Sequence, residues 1–79
     1  MPTVLKVQGY QSYFYANEIS EPPHIHVDKG GATAKFWLSP IRRVYSHGFS
    51  PAQQRTIENI IQKHQAALIA KWHEKFPRS

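Results

Sequence analysis

His24-Ile-His-Val-Asp-Lys-Gly-Gly-Ala-Thr-Ala-Lys-Phe-Trp-Leu38 decides the fold, because it reads as two strands and the turn between them. From His24 to Asp28 polar and apolar residues alternate. A strand sends successive side chains to opposite faces, so His24, His26 and Asp28 share one face while Ile25 and Val27 take the other. Gly30-Gly31 is a two-residue turn of the kind that needs positive φ, where a residue without Cβ is comfortable. That turn fixes the register: Ile25 opposite Phe36, Val27 opposite Ala34, His24 opposite Trp37, His26 opposite Lys35 and Asp28 opposite Thr33. One face of the hairpin is therefore apolar, and the other carries two imidazoles, a cation and an indole.

On the N-terminal side, Asn17 to Pro23 cannot continue a central strand, because Pro22 and Pro23 lack ladder donors and fix φ. Before this loop, Thr3 to Gln8 reads as a strand with Leu5 and Val7 on one side of the pleat and Val4 and Lys6 on the other. Gly9 ends it, and the aromatic-rich Ser12 to Ala16 predicts its hairpin partner. On the C-terminal side, Pro40 interrupts the pattern and Ile41 to Tyr45 reads as a short edge strand.

Ser50-Pro51-Ala52-Gln53 then starts a helix, with Ser at the N-cap, Pro at the first helical position and Gln at the third, the capping-box arrangement. Ile57, Ile60, Ile61, His64, Leu68 and Trp72 follow at three- and four-residue spacing. They form one face of a helix running to about Lys75 and spanning roughly 37 Å. On that stripe His64 reads as a packed core residue. The elements add up to an α+β fold: a small antiparallel sheet of three to five strands, at about residues 3–45, packed against one long C-terminal helix at about 51–75. The 79 residues carry no repeat, linker or low-complexity segment, so residues 1–79 are expected to form a single domain.

Composition narrows the chemistry. Hydrophobic residues make up 41% of the chain and charged ones 19%, which is enough apolar surface for a core and too little charge for a disordered chain. With no cysteine there is no disulfide, thiolate metal site or thiol nucleophile, as suits a reducing compartment. The start of the chain has no basic segment followed by an apolar stretch, and no window approaches a span of ~20 apolar residues. A cytoplasmic protein away from the membrane is the expectation.

The net charge of +5 is local. Between Asp28 and Glu58 there is no acid, and Lys29, Lys35, Arg42, Arg43 and Arg55 lie in that interval. Outside it, Lys6, Lys63, Lys71, Lys75 and Arg78 are balanced by Glu18, Glu21, Asp28, Glu58 and Glu74. Such a surface attracts phosphate-bearing or acidic partners, although a solvated basic face has the same composition.

Glu21-Pro-Pro-His-Ile-His26 is the richest site candidate, a rigid diproline leading into two imidazoles on one face. Two-residue spacing in a strand puts their Cα atoms roughly 6.5–7 Å apart. Three roles suit the pair: proton transfer with one ring as base and the other as acid, metal ligation with Glu21, Asp28 or His47 as third ligand, or structural rings satisfied by their neighbours. Lys35 and Trp37 across the hairpin add a cation for a phosphate and an indole for a base. Asn17, Glu18 and Glu21 crowd the loop before the histidines, where either glutamate can supply a carboxylate that orients an imidazole. Arg42-Arg43 is the best phosphate-binding dipeptide, with at most one of the two aimed at a given groove if the segment is a strand. Near the end of the helix, a protonated His73 would be favoured by the helix dipole.

Met1-Pro-Thr-Val-Leu5, Glu21-Pro-Pro-His-Ile-His-Val27, Ala34-Lys-Phe-Trp-Leu38, Gly48-Phe-Ser50 and Trp72-His-Glu-Lys-Phe76 occur in this order. Together they resemble a family of short bacterial proteins, domain of unknown function 4160, over nearly the whole chain. The resemblance implies the toxin of a type II toxin–antitoxin module, with a cognate small antitoxin from another domain-of-unknown-function family (number 2442). It transfers no established catalytic set, only the motif positions Glu21, Pro22, Pro23, His24, His26, Lys35 and Trp37.

The resulting expectation is an RNA-directed toxin working without cofactor or metal, in its enzymatic form a ribonuclease. There His24 and His26 move protons, Glu21 orients them, and Lys35, Trp37, Arg42 and Arg43 bind the substrate. His26→Ala should then abolish growth inhibition while changing stability by no more than about 1 kcal/mol. The alternative is a binding module without chemistry that grips nucleic acid or a protein.

Overall fold

The structure is a computed structural model and describes residues 3–15 and 21–77. Five strands, β1 (Thr3–Val7), β2 (Tyr10–Tyr13), β3 (His24–Lys29), β4 (Ala32–Leu38) and β5 (Ile41–His47), are followed by helix α1 (Pro51–Lys75). The strands form one antiparallel sheet in the order β1-β2-β3-β4-β5, so each strand pairs with its neighbour in the chain. The architecture is the α+β arrangement that the patterning predicts.

The β3–β4 register is the predicted one in all five pairs, from His24 opposite Trp37 to Asp28 opposite Thr33. Two other hairpins differ from expectation. Gln8 and Gly9 both take positive φ, 53° and 82°, so the turn holds only two residues and β2 begins at Tyr10 rather than Ser12. The backbone carbonyl of Gln8 is held by Lys29 Nζ at 3.1 Å. β2 ends at Tyr13, so Phe14 and Tyr15 of the predicted continuation lie beyond the strand, while Ala16 lies outside the described residues, as do Asn17 and Glu18.

β5 runs two residues past the expected end, to His47, and contains a bulge. Lys35 pairs with Tyr45 and Phe36 with Arg43, leaving Val44 as the extra residue. The bulge reverses the alternation. Arg42 and Tyr45, three positions apart, thereby point to the same face of the sheet, opposite Trp37 and Lys35 respectively.

The helix covers the other face. Tyr10 and Phe14 from the β2 segment, Ile25 and Val27 from β3, and Ala34, Phe36 and Leu38 from β4 pack with Ile57, Ile60, Ile61, Leu68 and Trp72 of α1. Ser50 closes the predicted capping box: its hydroxyl accepts from the Gln53 amide at 3.1 Å, and Gln53 Oε1 accepts from the Ser50 amide at 2.9 Å. Midway along, Gln65 donates to the Leu38 carbonyl at 2.6 Å and ties the helix to the end of β4.

Gly48, at φ 91°, lets the chain leave β5 beside Ala32, where an added Cβ would stand 3.0 Å from the Ala32 Cβ. His64 departs from its expected place in the core. It is only half-buried and lines a cleft of about 320 Å³ with Val7, Gln8, Thr56, Asn59, Ile60 and Lys63.

Candidate functional site

The sheet face turned away from the helix gathers most of the predicted site residues. β3 contributes His24, His26 and Asp28, β4 Thr33, Lys35 and Trp37, and β5 Arg42, Tyr45 and His47. Tyr13 joins them from β2, where it pairs with His26.

The diproline is fastened at three successive residues. Glu21 accepts from Lys35 Nζ at 2.6 Å, the Pro22 carbonyl accepts from His24 Nδ1 at 2.9 Å, and the Pro23 carbonyl accepts from the Leu38 amide at 3.0 Å. A carbonyl only accepts, so the His24 contact places a proton on Nδ1. The Glu-Pro-Pro-His sequence thus builds a clip: prolines with no free amide of their own present carbonyls, and the clip delivers a carboxylate to the face.

His24 and His26 lie with ring centroids 5.4 Å apart and planes at 83°. Neither is open to solvent: His24 is 0% and His26 3% exposed. Trp72 of the helix stands 4.8 Å from His24, and Trp37 closes on it from across the hairpin at 5.6 Å. Around His26, Tyr15 abuts edge-on at 4.3 Å, Tyr13 stacks at 5.6 Å, and the Tyr45 hydroxyl stands 3.5 Å from Nδ1, at the limit of hydrogen-bond reach. The two imidazoles are the packed centre of an aromatic cluster, and Tyr13, Tyr15, Trp37 and Tyr45 form its partly exposed rim.

Tyr13 donates to Asp28 Oδ2 at 2.9 Å. Burial, followed by its contacts with Tyr15 and Asp28, raises the phenol above the ordinary tyrosine value, so Tyr13 stays a proton donor at any physiological pH. Asp28 Oδ1 is buried with no hydrogen-bond partner among the described residues. Lys35, besides its pair with Glu21, holds its ammonium 5.1 Å from the centre of the Trp37 ring.

The basic interval does not become one patch. Lys35 and Arg42 belong to the open face, and Arg42 is exposed there. Arg43 takes the opposite side and donates to Gln54 Oε1 of the helix, so only one member of the Arg42-Arg43 dipeptide joins the site. Lys29 lies over the Tyr10 ring at the turn end, and Arg55 is exposed on the helix. Among the described residues, no three His, Cys, Asp or Glu side chains come together as a possible metal site, so neither Glu21, Asp28 nor His47 completes a ligand set with the two histidines.

The site residues not singled out as such from the sequence are Tyr13, Tyr15 and Tyr45. A signal for them exists in the same two-residue spacing: Tyr13 and Tyr15, like Tyr45 and His47, are i and i+2 pairs. The Tyr45 and His47 rings stack at 5.2 Å.

Taken together, fold and site define a small α+β protein with an antiparallel meander, one covering helix and a second, aromatic face that carries Lys35 and Arg42 beside Glu21 and Asp28. Residues 9–73 match the model of the family described as Domain of unknown function (DUF4160), and the chain belongs to that family. No curated protein and no solved structure matches the chain. Among the described residues no helix is long and apolar enough to cross a membrane.

Proposed function

We propose that this chain is the toxin of a type II toxin–antitoxin module and that it grips single-stranded RNA on the open face of its sheet, in the cytoplasm, until a cognate small antitoxin covers that face. The observation that carries the RNA reading is the clustering of Trp37, Tyr13, Tyr15 and Tyr45 with Lys35 and Arg42 on one side of the sheet. Aromatic faces stack on unpaired bases of any sequence, and cations beside them take the backbone phosphates. The toxin role rests on the family resemblance.

Binding is favoured over cleavage by the burial of the two histidines, since a proton-transfer group must reach the atom it serves. Their role in this reading is to hold the rim rings and the Glu-Pro-Pro clip in place. A ribonuclease remains the second reading, because the two rings are adjacent and Tyr45 reaches toward His26.

The test is binding of a labelled single-stranded RNA over a salt series, together with growth of a bacterial host on induction and a gel of its total RNA. Trp37→Ala should weaken binding by about 1–3 kcal/mol, the worth of one base stack, and Arg42→Glu should weaken it and flatten the salt dependence. Binding indifferent to salt and to both substitutions would remove the RNA reading. RNA cleavage that disappears in a folded His26→Gln variant would move the conclusion to the enzyme.

A further inference from the structure

The Glu21–Lys35 pair has a placement that a simple surface ion pair does not need. The Lys35 ammonium lies 2.6 Å from the Glu21 carboxylate and over the Trp37 ring, 5.1 Å from its centre, and its side chain is only 12% exposed. Glu21 is brought there by the diproline clip, which is bonded through the Pro22 carbonyl to His24 and through the Pro23 carbonyl to β4. A carboxylate and a phosphate present the same charge-bearing oxygens to an ammonium. A nucleotide stacked on Trp37 would carry its phosphate to the Lys35 ammonium, where the carboxylate already lies.

We propose that Glu21 is an internal occupant of a phosphate subsite formed by Lys35 and Trp37, so that an RNA phosphate binds by displacing the Glu21 carboxylate. The inference rests on the RNA-binding reading above and adds a self-competing group to it. Glu21 sets how tightly the face holds RNA by occupying the same cation. Its side chain is 36% exposed at the rim, so it can leave Lys35 for water without opening the core.

The experiment measures the anisotropy of a labelled single-stranded oligoribonucleotide on the full chain over a salt series. The proteins compared are wild type, Glu21→Gln, Lys35→Gln, the Glu21→Gln/Lys35→Gln double variant, and Glu74→Gln, which removes one exposed acid elsewhere. Each is checked for folding by its thermal transition, and Glu21→Ala gives a second way of removing the carboxylate. Glu21→Gln is expected to bind severalfold more tightly than Glu74→Gln. Its salt slope should steepen, by at most about 0.7, because no displaced carboxylate is left to take up a cation and offset the one released from that phosphate. The gain should vanish in the double variant.

A gain no larger than that of Glu74→Gln would mean that net charge alone is responsible and would overturn the proposal. Weaker binding by Glu21→Gln and Glu21→Ala would overturn it in the other direction, making Glu21 a support of the face or an RNA contact. Binding by wild type that ignores Lys35→Gln would also sink it while leaving the RNA reading intact. If wild type does not bind RNA at all, that reading itself fails and takes the subsite with it.

Discussion

Tyr13 shows how a single hydroxyl fixes the state of the open face. It donates to Asp28, whose other oxygen is buried with no hydrogen-bond partner among the described residues, and its own phenol is raised by burial, Tyr15 and Asp28. A phenol that resists ionisation when folded stabilises the fold below the unfolded tyrosine value of about 10 and weakens it as pH climbs above that. Denaturation followed from pH 8 to 11 should therefore show stability falling beyond about pH 10, and Tyr13→Phe should flatten that alkaline fall while lowering stability at neutral pH. An unchanged alkaline limb in the phenylalanine variant would contradict the assignment. The histidines carry a similar lesson: a substitution expected from sequence to be nearly neutral for stability meets a residue only 3% exposed. Removing the His26 ring leaves a void, and His26→Ala should cost about 2 kcal/mol or more in a chemical melt.

At the scale of elements, the helix start offers the plainest test. Ser50→Ala removes the acceptor for the Gln53 amide and should cost about 1 kcal/mol. Gly48→Ala should cost more, since it combines a positive φ with a Cβ 3.0 Å from Ala32, and its thermal transition should fall below that of Ser50→Ala. These elements also mark what the sequence makes legible. Strict alternation from His24 to Asp28 and the Gly30-Gly31 turn determine the β3–β4 register, and the Ser-Pro-Ala-Gln start places α1 to the residue. The β5 bulge leaves no such signature: Arg42, Arg43 and Val44 are all exposed, so burial imposes no pattern there. Which arginine shares a face with Trp37 follows only from the pairing. Burial of the histidines escapes the sequence for a related reason, because their cover comes from Tyr13, Tyr15 and Trp72, residues distant in the chain.

On the scale of the whole molecule, Trp72 links the two sides. Its ring packs at 5.3 Å against Phe14 in the core and at 4.8 Å against His24. Trp72→Ala should cost about 3–5 kcal/mol, a large share of the 5–15 kcal/mol typical of a domain, and calorimetry should show the transition lowered by tens of degrees or lost. Trp72→Phe should keep most of the stability. The strand order β1-β2-β3-β4-β5 has a further consequence, for the order of assembly. With every pairing between consecutive strands, no long-range loop must close before the sheet can grow, a low-contact-order arrangement that favours rapid zippering. The helix comes last in the chain, so on the ribosome the strands are made before the surface that covers Ile25, Val27, Phe36 and Leu38 exists. The nascent protein passes through an interval in which its future core is a bare apolar face, and the speed with which α1 docks decides how long it is open to aggregation.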